Sequence, residues 1–116
     1  MSAQLKLAPI GRSLQFNFQN PYKIAAVALI IYPDIEKETR LILIERNQYE
    51  GVHSGQVSFP GGKQEINDSS LAQTALRESN EEIGINLDSL TLLRKLSKIY
   101  IPLSNFLVTP FLFFSD

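Results

Sequence analysis

The chain has 116 residues, with 11 Lys and Arg against 12 Asp and Glu, a net charge near −1 and no Cys. This length fits one domain, since domains most often have about 100 to 150 residues, and it excludes two independent cores. The charge balance argues against a nucleic-acid partner bound through a basic surface. The lack of Cys excludes disulfides, thiolate metal sites and thiol nucleophiles.

No segment of the sequence suggests export or a membrane span. Residues 1–9 lack an apolar stretch after a basic start, so no secretory signal is visible. The longest apolar run, Ile24 to Tyr32, is far shorter than the roughly 20 residues of a membrane-spanning helix. We therefore expect a soluble, cytoplasmic chain with no membrane partner.

The predicted elements begin after an irregular arm over about residues 1–21. Tyr22 to Tyr32 is apolar almost throughout, which predicts a strand buried on both faces of a sheet and, from that, helices on both faces. Arg40 to Arg46 predicts a second strand that forms a hairpin with the first. Gln56 to Phe59 predicts a short strand inside a glycine-rich loop.

Residues 71–83 are predicted to form a helix, because N-cap residues precede them and Gly84 follows where a C-terminal glycine belongs. Leu90 to Ile101 and Phe106 to Phe114 predict further strands. A terminal aromatic strand exposes unpaired backbone and apolar surface unless something covers it. We therefore expect either truncation of the domain at its C-terminus or a homodimer that supplies the cover.

Three glutamates, Glu78, Glu81 and Glu82, crowd the last turns of the predicted helix. Each costs about 0.3 to 1 kcal/mol there against the helix dipole, and like charges one turn apart add to this cost. A divalent cation such as Mg²⁺ or Mn²⁺, which prefers oxygen ligands, would relieve three converging acids. A solvated acidic helix edge is the alternative for such a segment taken alone. Upstream, Gly61 and Gly62 let the backbone approach a ligand or a metal closely.

Together, the glycines and the acidic helix resemble a known family motif. The chain resembles the Nudix box, G-x5-E-x7-R-E-U-x-E-E-x-G-U with U aliphatic, through the run Gly62-x5-Asp68-x8-Arg77-Glu78-Ser79-Asn80-Glu81-Glu82-Ile83-Gly84-Ile85. It departs from that motif in three places, which are Asp68 in place of Glu, one additional spacer residue, and Ser79 in place of an aliphatic residue.

Upstream residues resemble the coenzyme A pyrophosphatase branch of the family, which carries L-L-x-x-R and H-x-G-x-V-x-F-P-G-G. The matching runs are Leu43 to Arg46 and His53 to Gly62. The resemblance covers about residues 25–110. Gly51 stands where that branch commonly has a basic residue, which leaves recognition of a substrate's 3'-phosphate open.

The resemblance implies an α/β (α+β) fold, in which a mixed β-sheet is sandwiched between helices. It implies one Nudix domain over residues 1–116, with the Nudix box at about 62–85. Because domains of this family are usually longer, the C-terminal part of the domain is expected to be absent.

The resemblance also implies roles for residues of the helix. Glu78 and Glu82 would be ligands of Mg²⁺ or Mn²⁺, with a contribution from the Gly61 carbonyl. Glu81 would complete the metal shell or remove the proton of the attacking water. Arg77 would hold Glu81 or the preceding loop in place. The predicted catalytic residues are therefore Glu81, Glu78 and Arg77.

Substrate contacts are expected from Arg46, His53, Gly61, Gly62 and Lys63. A guanidinium at the end of a strand binds phosphate oxygens in a fork, although Arg46 has surface acids nearby as alternative partners. His53 would orient the glycine loop, contact a phosphate or cap a turn.

The resulting hypothesis is metal-dependent hydrolysis of a diphosphate linkage in a small nucleotide substrate. Coenzyme A or acyl-CoA is the favoured substrate, giving 3',5'-ADP and a phosphopantetheine product. The first alternative is a Nudix pyrophosphatase for ADP-ribose, nucleotide sugars or nucleoside triphosphates. The second is a module that binds a nucleotide or a metal without cleavage.

Overall fold

The elements of the chain were located in a computed structural model, which describes residues 21–46 and 56–116. The strands and the helix are, in chain order, β1 (Lys23–Pro33), β2 (Thr39–Leu41), β3 (Ile44–Arg46), β4 (Gln56–Ser58), β5 (Gly61–Lys63), α1 (Leu71–Ile83), β6 (Leu90–Lys95), β7 (Ile99–Ile101) and β8 (Phe106–Ser115). A short 3₁₀ helix, Leu87–Ser89, leads into β6.

Two long apolar strands, β1 and β8, form the centre of a mixed sheet. They pair in parallel from Lys23 opposite Phe106 to Ile31 opposite Phe114. The other edge of β1 carries β2 and β5, and the other edge of β8 carries β6 and β7, all antiparallel. Both edges of β8 are thus paired within the chain, and truncation of the domain or a homodimer stays a prediction.

The predicted strand over residues 40–46 is two strands that belong to different sheets. Leu41 is the last residue of β2 to pair with β1, and Ile42 donates one further backbone bond to Ile30 at 2.9 Å. The chain then leaves the main sheet, and β3 pairs with β4 in a separate two-stranded ribbon. The alternation of apolar residues is the same in both halves, so the sequence does not reveal the change of partner.

The predicted strand over residues 90–101 is also divided, into β6 and β7. The break lies opposite Pro110 of β8, whose carbonyl accepts a bond from Leu96 N at 2.9 Å. A proline has no N–H to donate, so the ladder loses a bond on that side of β8. The pairing of β6 ends at Lys95, and the pairing of β7 begins at Ile99.

Helix α1 has the bounds that the sequence predicts. Ser70 is its N-cap and accepts a bond from Gln73 N at 3.1 Å. The helix packs against one face of the sheet, where the core consists of Ala26, Ala28, Ile30, Ala75, Phe111 and Phe113. Ser79, also fully buried, donates its hydroxyl proton to the Ala75 carbonyl at 2.8 Å. A hydroxyl can therefore replace the aliphatic side chain of the Nudix box without an unsatisfied polar atom.

Gly84 ends α1 in a left-handed conformation, with φ of 68° and a bond from its N–H to the Asn80 carbonyl. Replacement of Gly84 by Ala should lower the free energy of unfolding by about 1 kcal/mol, because a Cβ is disfavoured at this φ. The space around the position is open, so the conformational cost should be the whole effect. Urea denaturation measures it, and a variant as stable as the wild type would contradict this account.

The opposite face of the sheet is also apolar, as predicted from β1. Among residues 21–46 and 56–116 there is one α-helix, so the predicted helical layer is present on one face and is not found on the other within those ranges. The mixed α+β architecture is confirmed.

Within the same ranges, the helices of the chain are too short or too polar to span a bilayer. The arm over residues 1–20 lies outside the described residues.

Candidate active site

The site begins at a glycine pair whose backbone packs directly on β1. Gly61 is buried, and a Cβ added there would lie 2.4 Å from the Ala26 oxygen and 2.7 Å from the Val27 Cα. The Pro60 carbonyl accepts a bond from Ala28 N at 2.8 Å. Only a residue without a side chain fits at Gly61, so β5 lies directly against the backbone of β1.

Two carboxylates of α1 reach these glycines. Glu82 Oε1 accepts a bond from Gly61 N at 3.0 Å. A Cβ added at Gly62 would lie 2.5 Å from Glu78 Oε2, so the Glu78 carboxylate occupies the space that any other residue at 62 would fill. Glu78 and Glu82, one helical turn apart, therefore lie against the backbone of two consecutive glycines.

Glu81 is the exposed member of the three helix acids. In an α-helix, residues 78 and 82 are about 40° apart around the axis, whereas residues 81 and 82 are about 100° apart. The Glu81 side chain is 56% exposed and lies 3.4 Å from Arg77 Nη1. Among the described residues, no three acidic or histidine side chains are grouped to hold a metal. Of the three glutamates, Glu78 and Glu82 thus lie against the glycine pair, and Glu81 lies beside them in contact with Arg77.

Burial raises the pKa of Glu78 above its ordinary value of 4.5. The hydrogen bond from Arg77 Nη1 to Glu78 Oε2, 3.1 Å long, lowers the pKa of Glu78 in part. The negative charges of Glu82 and Glu81 raise it further. The side chain is 16% exposed. A buried carboxylate beside a second one is stabilised in its charged form by any cation that contacts both.

Arg77 is the centre of an ion-pair network that braces the loop before α1. Its Nε donates to Asp68 Oδ1 at 2.9 Å and its Nη2 to Asp68 Oδ2 at 3.0 Å, a bidentate pair. Nη2 also donates to the Lys63 carbonyl at 3.1 Å. Asp68, 4% exposed, accepts further bonds from Glu65 N and Thr74 Oγ1. The loop from β5 to α1 is thereby tied to the residue next to Glu78.

The hydrogen bonds from Arg77, and next the bond from Glu65 N, lower the pKa of Asp68 well below its ordinary value of 3.8. The charged form therefore stabilises the fold above pH 3.8, and this contribution is lost as the pH falls further. Replacement of Asp68 by Asn should lower the unfolding midpoint at pH 7, and the difference from the wild type should shrink below pH 3.8. Urea melts at pH 7 and pH 3 measure it. A difference independent of pH would contradict the ion pair.

The donor set suits a magnesium-type cation. Mg²⁺ is commonly bound by one or two carboxylates, with waters and substrate phosphates as its remaining ligands. Glu78 and Glu82 supply two carboxylates, and the space beside Gly62 that a Cβ would fill is occupied by the Glu78 carboxylate. The all-oxygen chemistry of this pair fits Mg²⁺ or Mn²⁺ and does not suit a soft metal.

A cavity of about 600 Å³ lies on the face of the sheet opposite α1. Residues 61–63 line one part of it, so the cavity and the carboxylate pair share the backbone of β5. Apolar side chains of β1, β7 and β8 line most of the rest, including Val27, Leu29, Ile99 and Val108. The volume falls in the range of about 300 to 1,000 Å³ that is typical of small-molecule sites.

The remaining predicted substrate residues are only partly described. Lys63 ends β5 with an exposed side chain and lines the cavity. Arg46 ends β3, but its side chain lies outside the described part of the chain. His53 lies outside the described residues, as does Gly51.

Two features of the site were not predicted as functional. Asp68 entered the sequence analysis only as a residue in place of Glu in the motif, although its place nine positions before Arg77 is a signal of its pairing with the arginine. The cavity wall gave no such signal, because Ile99 and Val108 are ordinary strand residues that become neighbours only when β7 pairs with β8.

Comparison with known proteins gives matches over most of the chain. The NUDIX domain family model matches residues 21–114. A protein of Yersinia enterocolitica named "Uncharacterized Nudix hydrolase NudL" is 40% identical over 84 residues, which are 72% of this chain and 43% of that protein. "Nudix hydrolase 15, mitochondrial" of Arabidopsis thaliana is 42% identical over 64 residues, 55% of this chain and 22% of that protein. The chain thus spans less than half the length of these curated relatives.

Solved structures share the fold. A Nudix hydrolase from M. smegmatis, RenU, has a TM-score of 0.61 at 15% identity, covering 96% of this chain and 70% of that one. The C. elegans Ap4A hydrolase also has a TM-score of 0.61, at 19% identity, covering 81% of this chain and 68% of that one. At such identities the likeness concerns the backbone architecture alone.

Proposed function

Because the chain belongs to the NUDIX domain family, we propose that it hydrolyses a diphosphate linkage in a nucleotide derivative, with Mg²⁺ or Mn²⁺ as the metal. The observation that carries this proposal is the placement of two carboxylates against one glycine pair. Glu82 accepts the Gly61 N–H, and Glu78 fills the space beside Gly62. This arrangement supports the assignment of Glu78 and Glu82 as the ligands of the ion.

A diphosphate resists attack by water because its oxygens are already negatively charged. When bound, a divalent ion supplies neutralisation of that charge. The oxygen of water then attacks one phosphorus atom, the bond from that phosphorus to the bridging oxygen breaks, and the bridging oxygen leaves with the other phosphate. The proton of the water goes to a carboxylate, for which we propose Glu81. Glu81 is the most exposed of the three helix acids, and its Oε1 lies 3.4 Å from Arg77 Nη1.

The other residues of the network act through position. Arg77 holds the Lys63 carbonyl and Asp68, which keeps the loop after β5 in place. Its bond to Glu78 Oε2 orients that carboxylate toward Gly62. We propose that Lys63, Arg46 and His53 contact phosphate oxygens of the substrate or the loop that faces them. The diphosphate would lie against the backbone of Gly61 and Gly62.

We propose coenzyme A or acyl-CoA as the substrate, with 3',5'-ADP and a phosphopantetheine as products. The support is the upstream resemblance from Leu43 to Gly62, of which residues 43–46 and 56–62 lie in the described ranges. The alternative is a different nucleotide diphosphate. ADP-ribose is bound in the structure of the NUDIX domain of Shewanella oneidensis NrtR, which shares the fold with a TM-score of 0.58 at 15% identity.

A substrate panel with Mg²⁺ or Mn²⁺ tests the proposal. Incubation with coenzyme A should release 3',5'-ADP and phosphopantetheine, both identified by mass. Dephospho-coenzyme A should be cleaved more slowly if a group of this chain recognises the 3'-phosphate. Equal rates for the two substrates would show that the chain does not recognise the 3'-phosphate, as expected if Gly51 replaces the basic residue that binds it. Cleavage of ADP-ribose or nucleotide sugars in preference would favour the alternative substrate class.

A binding module without turnover is the second candidate. Saturable binding of nucleotide with no product over the whole panel would support it. The cytoplasmic location and the homodimer expected from the sequence stay predictions, and two plant relatives are named for mitochondrion and chloroplast.

A further inference from the structure

Thr74 is a fully buried polar residue of α1 to which the proposed function gives no role. Its Oγ1 lies 2.8 Å from Asp68 Oδ2 and 3.2 Å from the Ser70 carbonyl oxygen. A threonine hydroxyl has one proton to donate. The Ser70 carbonyl already accepts the Thr74 N–H at 3.0 Å, whereas Asp68 offers a charged oxygen at the shorter distance. The hydroxyl proton therefore goes to Asp68, in a charge-assisted bond.

This bond helps to fix the plane of the Asp68 carboxylate. Oδ2 accepts from Thr74 and from the Glu65 N–H, and each carboxylate oxygen accepts from Arg77. The Asp68 side chain is 4% exposed, so little water is at hand to replace a lost donor. A guanidinium is planar, and it forms two parallel bonds to a carboxylate only when the two groups are aligned. The orientation of Arg77 therefore follows that of Asp68.

Three acids compete for the remaining nitrogen of Arg77. Its Nη1 lies 3.1 Å from Glu78 Oε2, 3.4 Å from Glu81 Oε1 and 3.6 Å from Glu65 Oε2. Glu78 is the acid that lies beside Gly62, and the other two are exposed. Because the three distances are similar, a modest rotation of the guanidinium would exchange Glu78 for one of the exposed acids.

We propose that Thr74 is a positioning residue for the carboxylate pair of α1. Its hydroxyl fixes the Asp68 carboxylate, and the fixed carboxylate directs Arg77 to Glu78. The inference rests on the proposed function, in which Glu78 is a ligand of the divalent ion. If the hydroxyl served the packing of the helix alone, its loss would change the stability of the protein and leave the affinity for the ion as it is.

Two substitutions at this position test the inference. Thr74→Val keeps the shape of the side chain and removes the hydroxyl, whereas Thr74→Ser keeps the hydroxyl and removes a methyl group. Binding of Mn²⁺ alone, without substrate, is measured from the EPR signal of the free ion. The dissociation constant should rise about tenfold in Thr74→Val, as is typical when a residue that orients a metal ligand is lost, and should stay within about twofold of the wild type in Thr74→Ser.

Thr91→Val is the control, because it makes the same change at an exposed position of β6. It should bind Mn²⁺ as the wild type does. Urea melts show whether each variant is folded. An unchanged affinity in folded Thr74→Val would overturn the inference, and so would an equal loss in Thr74→Ser, which would assign the effect to packing. If Thr74→Val does not fold, Thr74→Ala removes the same hydroxyl. Failure of both to fold, with Thr74→Ser folded, would make the hydroxyl a requirement of folding and overturn the positioning role.

The Arg77 side chain of the metal-free protein separates this inference from the proposed function. A guanidinium held by two bonds rotates slowly, so its Nη1 and Nη2 protons should give separate NMR signals in the wild type and in Thr74→Ser. The signals should average in Thr74→Val. A wild type that binds no Mn²⁺ would contradict the proposed function, and these signals would still decide the inference. Separate signals in Thr74→Val would overturn it.

Discussion

Replacement of Glu82 by Gln should lower kcat by about 100-fold or more. The amide keeps the shape of the side chain and an oxygen that can accept the Gly61 N–H, which the carboxylate accepts at 3.0 Å in the wild type. It removes the negative charge, and a metal ion stabilises charge in the transition state by several kcal/mol. The expected result is therefore a folded protein with a defective site. The measurement is kcat with saturating Mg²⁺ or Mn²⁺ on the best substrate of the panel.

The matched control for this change is Glu36→Gln. Glu36 lies in the exposed turn between β1 and β2, where its backbone N–H donates to Asp34 Oδ1. The control loses the same charge far from α1 and should keep full activity. Thermal melts of both variants exclude unfolding as the cause. A kcat for Glu82→Gln within twofold of the wild type would refute the metal site, whatever the substrate.

The second large effect is expected from alanine substitutions at the two adjacent glycines, which should fail in different ways. Gly61→Ala places a Cβ 2.4 Å from the Ala26 oxygen and 2.7 Å from the Val27 Cα, both backbone atoms of β1. The strands must separate there, and overpacking of this kind costs about 1 to 3 kcal/mol or more. We expect a clear fall in the urea midpoint of Gly61→Ala.

Gly62→Ala meets a side chain instead. Its Cβ would lie 2.5 Å from Glu78 Oε2 and 2.6 Å from Glu78 Cδ, the far end of a flexible residue. The carboxylate can move aside, so the stability should change by less than about 1 kcal/mol, whereas kcat should fall about 100-fold because the carboxylate is displaced from its place beside the glycine. Activity and urea melts of both variants measure the contrast. Equal losses of stability in the two would refute the geometry assigned to Glu78.

The elements that the sequence predicts best are those whose determinants are local. Ser70, the apolar face of α1 and Gly84 all lie within residues 70–84, and they fix the bounds of the helix without knowledge of the rest of the chain. The long apolar strands β1 and β8 were likewise predicted from composition. The family resemblance placed Gly62 and the helix acids in one site. The positions of the acids relative to each other follow from helix geometry.

The sequence was least informative where the outcome depends on the partner of a strand. The change of sheet after Leu41 and the break opposite Pro110 are set by contacts with distant residues. The arrangement of the three acids also depends on such contacts, since Arg77 Nη1 contacts both Glu78 and Glu81 while Glu82 accepts the Gly61 N–H. Periodicity places side chains on a helix face, but it does not say which neighbour each one meets.

The parallel pairing of β1 with β8 has a consequence for how the chain acquires its structure. Segments remote in sequence meet at the centre of the sheet, where Lys23 to Ile31 of β1 pair with Phe106 to Phe114 of β8. Just before these strands, Asn105 Nδ2 donates a bond to the Pro21 carbonyl, 84 positions away. The pairing of β1, β6 and β7 with β8 cannot form before β8 has been synthesised. Proteins dominated by such distant contacts fold slowly. During translation, the acidic helix should therefore be made well before it gains the sheet that supports it.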